Sequence, residues 1–267
     1  MIIQASDYAT DLDTNNNPLP GTSSATSSAT RSYSNPGGYS GSGSGNTSAS
    51  ATAAYGTLSG FAGGSGSASG ATAQGEAKAN AVFTDYLSFG APGGGPVSIL
   101  FGLGIEGAVS AVKGNAGAGV SGGISVWTPT TSKLLWSGSG SINSATDPTV
   151  TASKLVTFQA GDILQIEAGL SLGGGFGISS GFTGNPPVGI PQNGSFTADA
   201  SHTAEVFFEI MTPGATYVSS SGALYRSAPS WATPVPEPQT YALMLAGLAG
   251  LSLFTKARQR RAIGPAV

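Results

Sequence analysis

The sequence predicts a mainly β protein, an antiparallel β-sandwich of jelly-roll-like form with a single C-terminal hydrophobic helix. Two observations predict the sheets: apolar and polar residues alternate with period two over several segments, and glycine-rich connections separate these segments. No segment before the C-terminal tail has the apolar period of an amphipathic helix of ordinary length. Glycine makes up 42 of the 267 residues, and glycine inside strands is typical of bulges and of close backbone approach.

The first segment, residues 1–70, is a low-complexity region of Ser, Ala, Gly and Thr. Small side chains bury little area against an ordering entropy of about 1–2 kcal/mol per residue, which favours a flexible linker or stalk. Local alternation and the spaced anchors Tyr55, Leu58 and Phe61 favour the alternative, small-residue strands paired on a larger sheet, chiefly after Thr47. Both alternatives stay open at this level.

The body of the protein is predicted over residues 71–228. Alternation is strict from Ala71 to Phe83, which indicates a strand, although the Ala, Glu and Lys residues of Gly75–Val82 would also suit a helix. A clearer strand follows, in which every second residue from Val97 to Ile105 is apolar. Further strands are predicted at Ser121–Trp127, Lys133–Gly138, Leu155–Phe158, Ile163–Leu172 and Thr203–Met211.

Two connections within the body carry their own predictions. The tetrad Gln159–Asp162 lies between two predicted strands and has the composition of a hairpin turn. The segments Asp199–Val206 and Gly214–Gly222 are predicted to form a closing strand pair. Residues 229–235 then begin a proline-rich spacer.

Charge and cysteine content exclude several function classes. Six of the ten cations and all thirteen acids precede residue 240, so this part has a net charge of −7. Nucleic-acid binding requires a basic footprint, and we therefore expect no nucleic-acid partner. The chain has no cysteine, which excludes disulfides, thiol catalysis and Cys-ligated metals.

Several short motifs imitate catalytic or binding sequences. Gly102–Gly107 matches the dinucleotide fingerprint, but the glycine-interrupted sequence after it does not suit the required helix.

Three matches to the nucleophile elbow are expected by chance in a chain so rich in Gly and Ser, and no α/β sheet is predicted to hold them. They are Gly119–Gly123, Gly169–Gly173 and Gly177–Gly181. A serine triad would need His202, the single histidine, which lies in a strand-like run beside Asp199 and Ser201.

Metal and sugar sites receive equally weak support. Asp11–Asn15 imitates the start of a calcium loop, but the later Gly and Glu of that loop are missing, and Asp147 or Asp162 would be isolated loop ligands. Glu167 and Glu205 could face each other as a glycosidase pair by chance. The three tryptophans suit core or edge positions, with a sugar-stacking surface as the alternative; they are Trp127, Trp136 and Trp231. We predict no cofactor, no metal and no catalytic residue.

The C-terminal tail has a different chemistry. Thr240–Thr255 is a run of 16 uncharged residues rich in Leu and Ala, about 24 Å long as a helix against a bilayer core of roughly 30 Å. The long side chains of the cations that follow extend toward the membrane interface, which compensates for the short length of the helix. The alternative, a helix buried in a soluble core, fits less well because Tyr241–Phe254 has no polar face. The large side chains of this membrane helix are Tyr241, Leu243, Leu245, Leu248, Leu251, Leu253 and Phe254.

Charge around the helix predicts its orientation. Four cations follow it at once and would form a basic stop on the cytoplasmic side: Lys256, Arg258, Arg260 and Arg261. Before the helix, Pro236, Glu237 and Pro238 form an extended and exposed triplet that a processing enzyme could grip.

The triplet, the Ala-Leu and Gly-Leu pattern and the arginine-rich end resemble the PEP-CTERM sorting signal, over residues 236–262. The resemblance implies an exported protein of Gram-negative, exopolysaccharide-producing bacteria that is recognised by exosortase, a membrane-embedded cysteine transpeptidase. It implies three partners: exosortase, the inner membrane and extracellular polysaccharide. Asp199–Val206 and Gly214–Gly222 also resemble the last part of many PEP-CTERM protein bodies.

The resemblance also raises an expectation about the amino end. Export requires a cationic patch followed by 7–15 apolar residues, and the sequence from Met1 to Tyr8 has neither. We therefore expect Met1 to be an internal methionine, with a signal peptide encoded upstream.

Three functions follow, in order of preference. The first is a non-enzymatic protein of the cell surface or the extracellular matrix, associated with biofilm or exopolysaccharide and delivered through the sorting signal. The second is a carbohydrate-binding module, which clustered exposed Trp127 or Trp136 would favour. The third is a secreted hydrolase, which would require a cleft with paired carboxylates or a site at His202.

Overall fold

The structure, a computed structural model, describes residues 4–14, 21–34, 40–113, 115–144, 148–184 and 188–228. These ranges contain fourteen strands and a short 3-10 turn at Pro92–Gly94. The strands are β1 (Gln4–Thr14), β2 (Gly21–Ser34), β3 (Ser40–Ala54), β4 (Thr57–Ser69), β5 (Thr72–Gly90), β6 (Pro96–Val112), β7 (Asn115–Thr128), β8 (Lys133–Ile142), β9 (Thr149–Gln159), β10 (Ile163–Ser179), β11 (Phe182–Thr183), β12 (Val188–Gly189), β13 (Pro191–Ile210) and β14 (Thr216–Ser219).

The strands form two six-stranded sheets and one small ribbon. Sheet A has the order β1-β5-β10-β7-β8, and β14 pairs with β5. Sheet B has the order β2-β3-β4-β13-β6-β9, and β11 pairs with β12. Neighbouring described strands are antiparallel except for β1, which runs parallel to β5. The prediction of a mainly β protein with antiparallel sheets is confirmed.

Period two gives each strand an apolar and a polar face. In β5, Ala73, Ala77, Ala79 and Ala81 are fully buried while the residues between them face outward. The strand interpretation of Gly75–Val82 is thus confirmed over the helical alternative. The predicted strands are also found, but most are longer than their apolar patterns: β10 continues to Ser179 through a run of glycines that carries no hydrophobic signal.

The small-residue region from residue 40 onward consists of strands. β3 and β4 form a hairpin in sheet B, and Ala49, Ala51 and Ala53 face the core. Small side chains suit this position because sheet A lies close above them: a Cβ added to Gly60 would come 2.6 Å from Leu172 Cδ1. For these residues the strand alternative is confirmed.

Side chains from both sheets meet in one apolar core. The ring of Phe89 in sheet A makes edge contacts with Phe101 and Phe158 in sheet B, at centroid distances of 6.4 and 5.1 Å. Toward the other end, Phe176 of sheet A lies 6.4 Å from Phe196 of sheet B. The core is thus aromatic toward both ends, and where β3 and β4 approach β5 small residues surround the ring of Phe176.

The predicted hairpin at Gln159–Asp162 is wrong. The turn itself is present, with the Asp162 amide donating to the Gln159 carbonyl at 3.1 Å and Gly161 at φ 92°. The strands on either side do not pair, however, because β9 belongs to sheet B and β10 to sheet A. The turn is a crossover between the sheets, which local composition cannot distinguish from a hairpin.

The predicted closing strand pair is also wrong. β13 and β14 are both strands, but β13 pairs with β4 and β6 in sheet B, whereas β14 pairs with β5 in sheet A. The chain therefore changes sheets between Ile210 and Thr216.

The spacer at residues 229–235, the sorting triplet, the predicted membrane helix and the basic stop all lie outside the described residues. So do Trp231 and Asp147. Within the described ranges, no helix is long and apolar enough to cross a membrane.

Candidate functional site

The last described segment, Thr216–Arg226, connects one sheet to the other, and we call it the C-terminal clasp. It begins as β14 on the edge of β5. It ends beside β13, where the Phe208 amide donates to the Arg226 carbonyl at 2.8 Å. It is the part of the described body that lies nearest in sequence to the tail.

A buried carboxylate organises the clasp. Asp85 points inward from β5 and is 1% exposed. Its oxygens accept hydrogen bonds from four side-chain hydroxyls and two backbone amides. The hydroxyl donors are Ser219 at 2.6 Å, Ser220 at 2.9 Å, Ser221 at 2.8 Å and Tyr225 at 2.8 Å. The amide donors are Tyr86 at 2.8 Å and Ser221 at 3.2 Å.

These bonds determine the ionisation of Asp85. Burial by itself raises the pKa of a carboxyl group, but hydroxyl donors stabilise the charged form. Here the bonds from Ser219, Tyr225, Ser221 and Ser220 outweigh burial and hold the pKa of Asp85 below its ordinary value. Burial and the neighbouring Asp85 charge raise the pKa of Tyr225 far above its usual range. At neutral pH the group is thus a carboxylate facing neutral hydroxyls, with its acceptor capacity filled.

The clasp continues onto sheet B through contacts of a different kind. The ring of Tyr225 packs 5.2 Å from Phe208, and the Tyr225 amide donates to the Tyr217 hydroxyl at 3.0 Å. Arg226 then forms an ion pair with Glu205, whose side chain is 9% exposed, at 3.4 Å. The C-terminal end of the body is thereby fixed to both sheets.

A second feature occupies the outer face of sheet A. Four residues lie in one cross-strand row, which we call the aromatic row: Tyr86 on β5, Gln165 on β10, Trp127 on β7 and Leu134 on β8. Tyr86 and Leu134 are 44% and 42% exposed, and Trp127 is half-buried. A bulge between Val126 and Trp127 turns Leu134 outward, as bulges re-aim side chains. Trp136, by contrast, is in the core.

The motifs that imitate catalytic sequences lie in strands. Gly102–Gly107 is in the middle of β6, which continues to Val112. Gly119–Gly123 lies in β7 and Gly169–Gly173 in β10, while Gly177–Gly181 runs past the end of β10. Asp11 is in β1, and His202 is in β13, with its side chain outside the described part.

The candidate carboxylates are not brought together as a pair. Glu167 is exposed on the outer face of sheet A, next to the aromatic row. Glu205 is buried on sheet B and bonded to Arg226. Asp162 accepts a hydrogen bond from the Gln159 amide at 3.2 Å in the crossover turn.

Sequence reasoning missed Asp85 and the partnership of Tyr86 with Trp127. A signal for Asp85 was present, because it occupies an inward position in the strict alternation of β5, where an unpaired charge is too costly to bury. The run Ser219–Ser221 supplies the matching donors. The aromatic row had no local signal, because its members are brought together only by strand pairing.

Comparison with known proteins adds one family match. Residues 234–261 match the PEP-CTERM protein-sorting motif. No curated protein matches the chain.

Among solved structures, the Clostridium perfringens delta-toxin is 9% identical over 73% of this chain and 88% of the toxin, with a TM-score of 0.14. The Clostridium perfringens NetB toxin in its membrane-inserted form is 11% identical over 74% of this chain and 94% of that one, with a TM-score of 0.11. TM-scores this low do not establish a shared fold.

The family match covers the triplet, the apolar run and the cations that the sequence singled out. The chain carries a PEP-CTERM protein-sorting motif, the signal of an exported protein that is transiently anchored in a membrane and processed by the membrane protein exosortase.

Proposed function

We propose that this protein is a non-enzymatic component of the cell surface or the extracellular matrix, delivered there through its sorting motif. The observation that carries the proposal is the order of the chain: a β-rich body closed by the clasp, followed directly by the motif at residues 234–261. In the proposed topology the basic stop stays on the cytoplasmic side and the body lies outside, as an antiparallel sandwich of jelly-roll-like form. An upstream signal peptide would start export.

Three features of the described body support a non-enzymatic role. Asp85 is ionised and its oxygens are occupied by six donors, so it has no capacity left as a general base. Glu205 is held by Arg226, and Glu167 has no second carboxylate of this set beside it.

The shared apolar core of the two sheets supports the sandwich architecture.

A carbohydrate-binding role for the same body is the second candidate. Trp127 lies outward on sheet A, in register with Tyr86 two strands away. Tyr86 is 44% exposed and Trp127 is half-buried, so two aromatic rings on one face support this candidate, although Trp136 does not take part.

The test of the proposed function is tail processing. The full reading frame, with any upstream signal, is expressed in hosts with and without exosortase, and the intact mass of the protein is measured. We expect the tail to be lost near Pro236–Pro238 only when exosortase is present. A variant with Pro236, Glu237 and Pro238 replaced by alanine should keep its tail in both hosts. An intact tail on the unaltered chain in the exosortase host would overturn the proposal.

A further inference from the structure

The outer face of sheet A is a long trough. Glu167 follows the aromatic row on β10, and beyond it the outward residues of the two central strands are small: Gly169, Ser171 and Gly173 on β10, beside Gly123, Ser121 and Gly119 on β7. The outward side chains of β5 stand higher on one side, and exposed serines of β8 border the other. From Gln165 to Gly177 this floor extends roughly 40 Å at the rise of a strand, and β8 borders it as far as Val120, which lies opposite Leu172.

The space above the floor is open. A shallow cavity of about 760 Å³ lies over Gly169 and Ser121, and a second of about 700 Å³ lies over Gly173 and Gly117 on the same two strands. A Cβ added to Gly117 would meet nothing within 4 Å, and one added to Gly169 would make ordinary contacts with Val82 Cγ2 at 3.7 Å and the Ala81 carbonyl oxygen at 3.9 Å. Packing therefore does not require glycine at these two positions, whereas a Cβ on Gly173 would come 3.3 Å from Lys78 Cγ and one on Gly175 would come 3.0 Å from the Gly75 carbonyl oxygen.

The chemistry of the trough is polar and nearly uncharged. Glu76 and Lys78 on the β5 side pair with each other at 2.6 Å. Glu167 is the remaining charged side chain among the outward residues that the structure describes on β5, β10, β7 and β8. Around it, serine and threonine hydroxyls and the Gln165 amide offer donors and acceptors.

We propose that this trough binds a segment of an uncharged polysaccharide, with the rings of Tyr86 and Trp127 holding the apolar face of a sugar at one end. The proposal rests on the proposed function, because the body must lie outside the cell to meet such a polymer. Aromatic rings supply apolar area on a rigid platform, and the hydroxyl-lined floor supplies hydrogen bonds along an extended chain.

Other occupants fit the surface less well. A stable protein interface buries about 800 Å² on each partner around an apolar centre. The apolar side chains at this end of the face are few: Tyr86, Trp127 and Leu134 in the row, with Ile163 and Val218 beside it. A lipid surface would require an apolar band, and Gln165 and Glu167 interrupt any such band beside the row. A neutral, hydroxyl-bearing polymer matches the length and the charge of this floor.

The test uses the full chain in micelles of a zwitterionic detergent, since a detergent with sugar headgroups would compete for the trough. The electrophoretic mobility of the protein is measured in native gels that contain hydroxyethylcellulose, dextran or mannan, which are uncharged. It is also measured in gels that contain alginate, which is anionic. We expect at least one uncharged glycan to retard the chain, and alginate to have no effect. Absence of retardation in all three uncharged gels, or retardation by alginate alone, would overturn the proposal.

Two variants locate the binding site. Replacing Tyr86 and Trp127 by alanine should weaken retardation on the order of tenfold or more. The matched control is Phe61→Ala, which removes a half-buried ring on sheet B and should leave retardation unchanged. Equal retardation of the unaltered chain and the Tyr86/Trp127 variant would place binding elsewhere and contradict the proposal.

The second variant fills the trough without removing an aromatic ring. Gly123→Val together with Gly169→Val adds side chains to the floor, and valine suits a strand. We expect weaker retardation at an unchanged unfolding temperature, whereas Ser153→Val on β9 should alter neither. Processing by exosortase is scored on the same variants. A variant that loses glycan binding but is processed normally tests the trough alone. A chain that binds glycan but is not processed tests the sorting function alone.

Discussion

Asp85 shows at the scale of one residue how a charge is accommodated inside a glycine-rich body. Its carboxylate is buried, but six donors surround it, so the usual penalty of an isolated buried charge does not arise. Five of those donors belong to residues of the clasp that are more than 130 positions later in the chain: four hydroxyls and the Ser221 amide. The aspartate therefore fixes the end of the body rather than providing acid–base chemistry.

Replacing Asp85 by asparagine should destabilise the protein by about 3 kcal/mol, because an amide group presents a donor where the carboxylate accepted and leaves buried hydroxyls unsatisfied. The measurement is urea unfolding followed by tryptophan fluorescence. Glu167→Gln, at an exposed position of sheet A, is the control and should be neutral. A loss below about 0.5 kcal/mol in the Asp85 variant, within the range of surface substitutions, would contradict this role.

The same contact makes a prediction about pH. The pKa of folded Asp85 is held below its ordinary value of 3.8, so the ionised group stabilises the fold fully above that value. This contribution is lost as the pH falls through the lower pKa of the folded state. The stability difference between the unaltered chain and Asp85→Asn should be constant from about pH 8 to pH 5 and shrink below about pH 4. A difference that grows on acidification would show that the sign is wrong.

At the scale of elements, glycine determines where the sheets approach closely. The ring of Phe176 on β10 lies against Gly75 of β5 and Gly66 of β4. A Cβ on Gly75 would come 2.5 Å from Phe176 Cε1 and 2.9 Å from Thr47 Cγ2. Gly117 on the outer face has no such neighbour. Core packing thus requires glycine at position 75, which faces inward, but not at position 117, which faces outward.

This difference is measurable with a matched pair of substitutions. Gly75→Ala should lower the free energy of unfolding by about 1–3 kcal/mol, because the core must shift to admit the methyl group. Gly117→Ala should be neutral or slightly stabilising, since alanine restricts the unfolded chain and meets open space. Thermal unfolding of both variants is the measurement. Equal losses in the two variants would show that packing against Phe176 is not the reason for Gly75.

The strands were predictable from the sequence wherever large apolar residues alternate, as from Val97 to Ile105. Their ends were not, because the glycines of Gly173–Gly177 and the serines of β3 carry no apolar signal, although they pair as fully as the rest. Period two also reports which face a residue occupies but not which strand lies beside it. For this reason the pattern around Gln159–Asp162 predicts a hairpin where the chain crosses from one sheet to the other.

At the scale of the whole molecule, the sequence predicted the sorting motif but not the residues that strand pairing brings together. The sorting motif is contiguous, so about thirty residues are sufficient to recognise it. The aromatic row draws on four strands whose order in sheet A is β5-β10-β7-β8, and no local pattern carries that order. The clasp joins Asp85 to Tyr225 across 140 positions. Both features arise from pairing between distant segments.

The position of the clasp also sets the order in which the body can be completed. A chain that emerges from its amino end exposes the free edge of β5 at residues 87–90 until β14 arrives, and Asp85 meets its serine donors at the same moment. Arg226, the last residue of the clasp, lies eight positions before the sorting motif begins at residue 234. The clasp therefore emerges just before the motif, so a chain interrupted before Thr216 lacks both its sorting motif and the segment that closes the body.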